Sequence, residues 1–170
     1  VYNGTSDDPE RDTMVDLVRD GENVLVTRTF SKIFGMAGMR VGYGMARPDI
    51  IENTFKHIMA WPNGVGLTAA YYSYIDQDFI KFSRDKVREG RAMVQKTLAD
   101  VGLMPVPSQT NFVFVDAGRD AMTIRRAMAE EGVLINAGYE GCPHYLRISM
   151  GKLEDLKIFD RVFKRVMARA

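Results

Sequence analysis

The chain has 170 residues, 46% of them hydrophobic, which is enough to form at least one domain with its own core. Its 23 basic and 22 acidic side chains leave a net charge of +1, so no strong field favours nucleic acid or a membrane surface, and small molecules or proteins are the expected partners. The single cysteine excludes an internal disulfide, the two separated histidines suggest no metal site, and no apolar run approaches the roughly 20 residues that cross a bilayer, which predicts a soluble protein.

The first part of the chain alternates between helical and extended patterns. The predicted elements are a helix at 12–19, a buried strand VLVTRTF at 24–30, a strand VGYGMA at 41–46, a helix with one apolar face from Pro48, a helix at 67–75, and a long amphipathic helix from about Phe79 to Gly102. The tyrosines Tyr71, Tyr72 and Tyr74 are interpreted as packing residues of the helix at 67–75.

The second part repeats this alternation. The predicted elements are a strand NFVFV at 111–115, a helix at 120–131, a strand VLIN at 133–136, a strand YLRISM at 145–150 and a helix from Leu153. In YLRISM, Leu146 and Ile148 lie on one face while Arg147 and Ser149 lie on the other, so one face belongs to a core and the other to a site or to water. We expect an α/β protein whose two parts, 1–78 and 79–170, meet near the start of the long helix.

The segment TFSKIFGMAGMR (29–40) is the most informative stretch, because it places one lysine just beyond a strand end, where open α/β sheets bind ligands. A lone lysine in such a loop is most often a solvated charge. Here Thr29, Ser31 and Arg40 supply two hydroxyls and a guanidinium, which suit a phosphate monoester. A nucleophilic lysine, Lys32, beside a phosphate site indicates pyridoxal phosphate.

Three motifs resemble those of a known family and occur in the order in which that family has them. TFSKIFGMAGMRVGYG resembles the cofactor-lysine segment of fold-type I pyridoxal-phosphate aminotransferases (class I and II), especially the histidinol-phosphate aminotransferase-like group, and PSQTNFVFV and YLRISMG extend the resemblance over nearly the whole chain. The resemblance implies that residues 1–78 form the C-terminal part of the PLP-binding large domain. Residues 79–170 would then form the small C-terminal α/β domain, including the connecting helix.

The resemblance also implies roles for individual residues. Lys32 would form the Schiff base with pyridoxal 5'-phosphate and act as the catalytic base, while Thr29, Ser31 and Arg40 would hold the cofactor phosphate. Arg147 would bind the α-carboxylate of the substrate. Taken singly, Arg40 could instead pair with an acid and Arg147 could be a surface residue, but Arg147 is better supported because it lies on the polar face of a strand.

The remaining assignments rest on fewer observations. Asn111 opens the small-domain strand and is predicted to be substrate-binding, although capping a turn is the structural alternative. Tyr2 would reach the phenolic oxygen of the cofactor if it corresponds to the last residue of the family's Asp-Glu-Ala-Tyr motif. Cys142 and His144 are assigned no role.

The sequence departs from the family at two points. The aspartate beside the pyridine nitrogen, the stacking aromatic residue and the glycine-containing phosphate loop would all lie upstream of Val1, so we expect the chain to be a fragment. Asn136 stands where histidinol-phosphate aminotransferases usually offer an arginine to the substrate phosphate. This neutral amide predicts an unphosphorylated amino donor, for example an aromatic one.

The implied function is transamination from an amino acid or similar donor to a 2-oxo acid. A pyridoxal-phosphate decarboxylase or acyl transferase of the same fold is one alternative, and a non-catalytic remnant acting as an interaction module is another. We expect a homodimer when the protein is full length, a cytoplasmic location, and neither a metal, a nucleic acid nor a membrane as partner.

Overall fold

The computed structural model describes residues 2–169 and combines helices with short antiparallel strands. It divides into two compact units, one ending at Arg84 and the other beginning at Asp85. The division falls inside the long helix α4 (Gln77–Asp100). The boundary predicted from the sequence lies within or just before this helix, at roughly residue 76 to 85, with 1–78 and 79–170 assigned to the two parts. Among the described residues, no helix is long and apolar enough to cross a membrane.

The first unit is built around one antiparallel strand pair. Its elements are α1 (Val15–Arg19), β1 (Val26–Thr29), β2 (Gly42–Met45), α2 (Pro48–Phe55), α3 (Gly64–Ile75) and the beginning of α4. Thr29 lies opposite Gly42, and a Cβ at position 42 would lie 2.7 Å from the Arg28 carbonyl oxygen, so this close pairing requires glycine. Buried Phe30, Val41 and Ala70 form a small core beside the strand pair.

Two predictions about burial in this unit are wrong. The strand expected to be buried at 24–30 is shorter and at most half-buried, because β1 and β2 form a sheet of only two strands. Tyr71, Tyr72 and Tyr74, interpreted as packing residues of their helix, are 64%, 64% and 54% exposed and lie outside the core. Helix α2, for which one apolar face is predicted, buries none of its residues. An apolar helix face stays exposed where no other element of the described chain covers it.

The second unit has a larger core. Its elements are the rest of α4, β3 (Phe112–Asp116), α5 (Ala121–Glu130), β4 (Asn136–Tyr139), β5 (Cys142–Ser149) and α6 (Leu153–Arg169), and the sheet order is β3-β5-β4 with antiparallel neighbours. Buried residues of the sheet and of the three helices form one cluster that includes Leu98, Ile124, Leu146, Ile148 and Phe163. The predicted alternation in YLRISM is confirmed, since Leu146 and Ile148 are buried and Arg147 is half-buried.

The strand predicted at 133–136 is displaced, because β4 begins only at Asn136. Just beyond the end of α5, Gly132 adopts the left-handed region (φ 79°), and the Val133 N–H donates to the Met128 carbonyl oxygen at 2.9 Å. This hydrogen bond belongs to the C-terminal cap of α5, so the cap includes the beginning of the segment 133–136 that was predicted to be a strand. Strand β4 instead continues to Tyr139 and turns directly into β5, so the two strands form a hairpin that the sequence analysis did not predict.

Candidate active site

The loop that carries Lys32 is shaped by backbone hydrogen bonds. The Met36 N–H donates to the Phe30 carbonyl oxygen at 3.0 Å, and the N–H of Gly35, whose φ is 67°, donates to the Lys32 carbonyl oxygen at 2.9 Å. Phe30 and Ile33 are both buried, while Lys32 between them is half-buried. Two buried neighbours and a closed loop therefore fix the backbone from which the amine extends.

Helix α4 adds a further anchor to this loop within the first unit. The Ser83 hydroxyl donates to the Ile33 carbonyl oxygen at 2.7 Å, and the Arg84 Nε donates to the Gly4 carbonyl oxygen at 3.1 Å. The beginning of α4 thus holds both the lysine loop and the N-terminal segment that includes Tyr2.

Four of the five predicted cofactor residues gather at the end of β1. The Lys32 Nζ lies 5.5 Å from the centroid of the Tyr2 ring, within the range of a cation–π interaction. The Thr29 Oγ1 accepts a hydrogen bond from the Ser31 backbone N–H at 3.1 Å, which fixes the two hydroxyl residues relative to each other. An amine and two hydroxyl residues therefore lie on one short stretch of loop, and the Tyr2 ring of the N-terminal segment lies beside the amine.

Arg40, the fifth residue, is held by an unusual backbone conformation. Among residues 2–169 it is the only residue other than glycine with a positive φ. Its backbone is left-handed, at φ 54° and ψ 47°, directly after the 3₁₀ turn Ala37–Met39. Its exposed guanidinium donates to the Ala37 carbonyl oxygen at 2.6 Å. Left-handed conformations cost energy for residues with a Cβ, so the surrounding contacts must maintain this one.

The N-terminus of α3 supplies such contacts. Asn63 caps the helix by accepting from the Gly66 N–H at 3.2 Å, and its side-chain amide donates to the Met39 carbonyl oxygen at 3.5 Å. Gly66 packs so closely that an added Cβ would lie 2.7 Å from Val41 Cγ2 and 3.2 Å from the Met39 oxygen. The sequence analysis missed both residues, although an asparagine directly before a helical segment, as Asn63 is here, is a typical N-cap residue.

In the second unit, Arg147 lies in the middle strand with Phe114 of β3 on one side and Asn136 of β4 on the other. Its guanidinium carbon is 4.0 Å from the centroid of the Phe112 ring, and its Nη1 donates to the Ser149 Oγ at 3.3 Å. Asn136, Arg147, Ser149 and Asp155 are the polar residues that line a cavity of about 380 Å³, and its other lining residues are apolar side chains and glycines. The strand face predicted to belong to a site or to water thus presents a guanidinium and an amide in neighbouring positions.

Asn111 immediately precedes β3, and its carbonyl oxygen accepts from the Met150 N–H at 2.9 Å, which extends the pairing between β3 and β5. This backbone contact is structural, and substrate binding by Asn111 remains a prediction. Cys142 is a half-buried free thiol at the start of β5.

Sequence comparison identifies the family. Residues 1–161 match the family described as aminotransferase class I and II, and the chain belongs to that family. It is 37% identical over 153 residues to a histidinol-phosphate aminotransferase from Symbiobacterium thermophilum, covering 89% of this chain and 42% of that protein. It is 33% identical over 166 residues to the histidinol-phosphate aminotransferase of Brevibacillus brevis, covering 96% and 45% of the two chains.

Structure comparison agrees with this membership. The histidinol-phosphate aminotransferase from Sinorhizobium meliloti, solved in complex with pyridoxal-5'-phosphate, superposes with a TM-score of 0.85 and 31% identity. The superposition covers 99% of this chain and 47% of that chain, so the fold is that of a fold-type I pyridoxal-phosphate enzyme in part. The chain spans less than half the length of the curated relatives named here.

Family membership and the pyridoxal-phosphate complex indicate pyridoxal 5'-phosphate as the cofactor. The side chains of Lys32, Thr29, Ser31 and Arg40 fit this group by their chemistry, since a primary amine can bond to its aldehyde, and two hydroxyls and a guanidinium can bind its phosphate.

Proposed function

We propose that the protein transfers an amino group from an amino acid, or an amino-acid-like donor, to a 2-oxo acid with pyridoxal phosphate as cofactor. The observation that carries this proposal is the Lys32 loop, in which a half-buried amine lies 5.5 Å from the Tyr2 ring and directly follows the paired hydroxyl residues Thr29 and Ser31. Membership in the aminotransferase family supports it.

Each residue of the loop has a chemical task in this proposal. Lys32 Nζ would hold the cofactor covalently and, once the donor amine has displaced it, would take the proton from the substrate Cα and pass it to the cofactor. The hydroxyls of Thr29 and Ser31 and the Arg40 guanidinium bind the phosphate, and Tyr2 approaches the phenolic oxygen. The bound cofactor supplies the electron sink for this proton transfer.

Arg147 binds the α-carboxylate of the substrate in this proposal. A planar guanidinium can donate two parallel hydrogen bonds to a carboxylate, which fixes the orientation of the substrate as well as its position. A fixed orientation matters because only one of the bonds at Cα must be broken. Asn111 is proposed to contribute to the same substrate site.

The donor is proposed to be unphosphorylated. Asn136, which lies directly beside Arg147 in the sheet, offers a neutral amide where a phosphate would favour a positive charge. The named relatives are histidinol-phosphate aminotransferases, so this proposal distinguishes the present chain from them.

Product analysis tests the reaction type. The complete protein, loaded with pyridoxal phosphate and supplied with an aromatic amino acid and 2-oxoglutarate, is expected to form glutamate and the aromatic 2-oxo acid in equal amounts. A Lys32→Ala variant should lose this activity while still binding the carboxylate of the donor. Release of carbon dioxide instead would assign the protein to the decarboxylases, and no product with any donor would favour a non-catalytic module.

We also propose that the complete protein is a homodimer that acts in the cytoplasm. Support for the dimer comes from α2 and α3 and the segment between them, where Phe55, Trp61 and Tyr72 are 68%, 97% and 64% exposed. Apolar surface of this kind is commonly buried by a partner subunit or by further chain. Sedimentation measurements should give a dimer for the wild type and a weakened dimer for Trp61→Glu, and a monomeric wild type would contradict the proposal.

A further inference from the structure

We propose that Phe112 and Ser149 are positioning residues that hold the Arg147 guanidinium ready for a carboxylate. The inference rests on the proposed function, in which Arg147 binds the α-carboxylate of the substrate. Its basis is that two contacts restrain the same guanidinium, whose Cζ lies 4.0 Å from the centroid of the Phe112 ring and whose Nη1 lies 3.3 Å from the Ser149 Oγ.

Phe112 and Arg147 are diagonal neighbours on one face of the sheet. Phe112 pairs with Ser149, while Phe114 pairs directly with Arg147. The nearer ring is already engaged, because Phe114 stacks on Tyr145 with 4.7 Å between centroids. The long side chain of Arg147 therefore lies along the strand toward Phe112 and Ser149, a diagonal contact that long and aromatic side chains can reach.

Hydrogen bonds hold the backbone of Phe112. The Phe112 carbonyl oxygen accepts from the hydroxyls of both Ser108 and Thr110 at 2.9 Å. The Thr110 carbonyl oxygen in turn accepts from Nη1 of Arg91 at 3.3 Å, and Arg91 is only 6% exposed. The polar residues of PSQT thus fix the start of β3, and with it the position of the ring.

This geometry separates the two kinds of contact that a guanidinium can make. The aromatic face attracts the flat side of the cation, whereas all of its N–H donors point outward in the plane. Ser149 accepts from one of those donors at one end. The stack therefore leaves the planar edge of the cation available to a carboxylate, and it reduces the side-chain entropy that binding must remove.

Calorimetric titration of the complete, cofactor-loaded protein with 3-phenylpropionate tests this inference without relying on turnover. Phe112→Leu keeps an apolar side chain but removes the ring. It is expected to lower the affinity for 3-phenylpropionate by roughly 3- to 30-fold, as for loss of a cation–π contact. Phe112→Tyr keeps the ring and should restore wild-type affinity. The amide 3-phenylpropionamide has no carboxylate, so its affinity should not change in either variant.

Phe114→Leu is the matched control, because it removes a ring from the same face and strand that does not stack on Arg147. It should leave the acid affinity unchanged, and melting temperatures of both leucine variants report any general damage. Ser149→Ala is expected to lower the affinity for 3-phenylpropionate by roughly 2- to 10-fold, and it serves as the test if Phe112→Leu fails to fold. In an Arg147→Ala background, Phe112→Leu should have no further effect.

The outcomes distinguish this inference from the proposed function. If Arg147→Ala leaves 3-phenylpropionate binding unchanged, the assignment of Arg147 to the carboxylate is wrong, and the positioning role fails with it. If Arg147→Ala weakens binding strongly but Phe112→Leu and Ser149→Ala have no effect, or Phe114→Leu has the same effect as Phe112→Leu, only the positioning role is overturned.

Discussion

Replacing Gly66 by alanine should weaken cofactor binding without any change in a group that touches the cofactor. The new Cβ would lie 2.7 Å from Val41 Cγ2 and 3.2 Å from the Met39 carbonyl oxygen. Those two atoms flank Arg40, whose left-handed backbone presents the proposed phosphate ligand. The clash therefore acts on the turn that carries Arg40.

The size of the effect follows from the overlap. Carbon atoms normally approach to about 3.5–4.0 Å, so the first contact is roughly 1 Å too short. Overpacking of this kind costs about 1–3 kcal/mol. If the strain is relieved by moving the Arg40 turn, the affinity for pyridoxal phosphate should fall by about 5- to 150-fold.

The assay is a titration of the apoprotein with pyridoxal phosphate and with pyridoxal, which has no phosphate. Gly64→Ala is the matched control, because Gly64 lies in the same first turn of α3 and an added Cβ meets nothing within 4 Å. Gly66→Ala should lower the affinity for pyridoxal phosphate far more than the affinity for pyridoxal, and Gly64→Ala should change neither affinity. Equal behaviour of the two alanine variants, or equal losses for the two ligands, would refute the reasoning.

Three further predictions concern the second unit. Asn136→Arg should raise kcat/KM for histidinol phosphate relative to an unphosphorylated donor by roughly 10- to 100-fold, because it adds a charge-assisted hydrogen bond beside Arg147, and an unchanged ratio would contradict this. Lys164 and then Lys96 lower the pKa of Asp100, so this carboxylate adds stability above its unfolded pKa of about 3.9 that is lost as pH falls through the lower folded value. Melting temperatures of the wild type should therefore fall more steeply in acid than those of Asp100→Asn, and parallel pH profiles would contradict the role of this carboxylate. Phe163→Ala should destabilise the unit by about 3–5 kcal/mol in chemical denaturation, since the ring is fully buried, and a loss below about 1 kcal/mol would be inconsistent with that burial.

The second unit followed its sequence pattern closely because its core is completed by its own residues. Period-two alternation placed Leu146 and Ile148 inside, and the spacing of apolar residues predicted α6 from Leu153. The strand assigned to 133–136 failed because the pattern of apolar residues cannot distinguish a strand from the backbone that ends a helix. Gly132 is the residue that decides between them.

The first unit was harder to predict, because apolar periodicity reports the face that a helix buries but not what covers it. Phe55 and Tyr71 have the spacing of core residues and are exposed in this chain. The lysine loop could be recognised from residue types, since an amine, hydroxyls and an arginine lie close together in sequence. The restraint of Arg40 by Asn63 and Gly66 could not, because it depends on a contact across more than 20 residues.

Borohydride reduction of the complete protein with pyridoxal phosphate tests the central claim most directly, because it makes the bond between the cofactor and its lysine permanent. After proteolysis, mass spectrometry should find the reduced phosphopyridoxyl group on the peptide that contains Lys32, and Lys32→Ala should remove it. A label on another lysine, or no label in a folded protein that binds the cofactor, would contradict the assignment of Lys32.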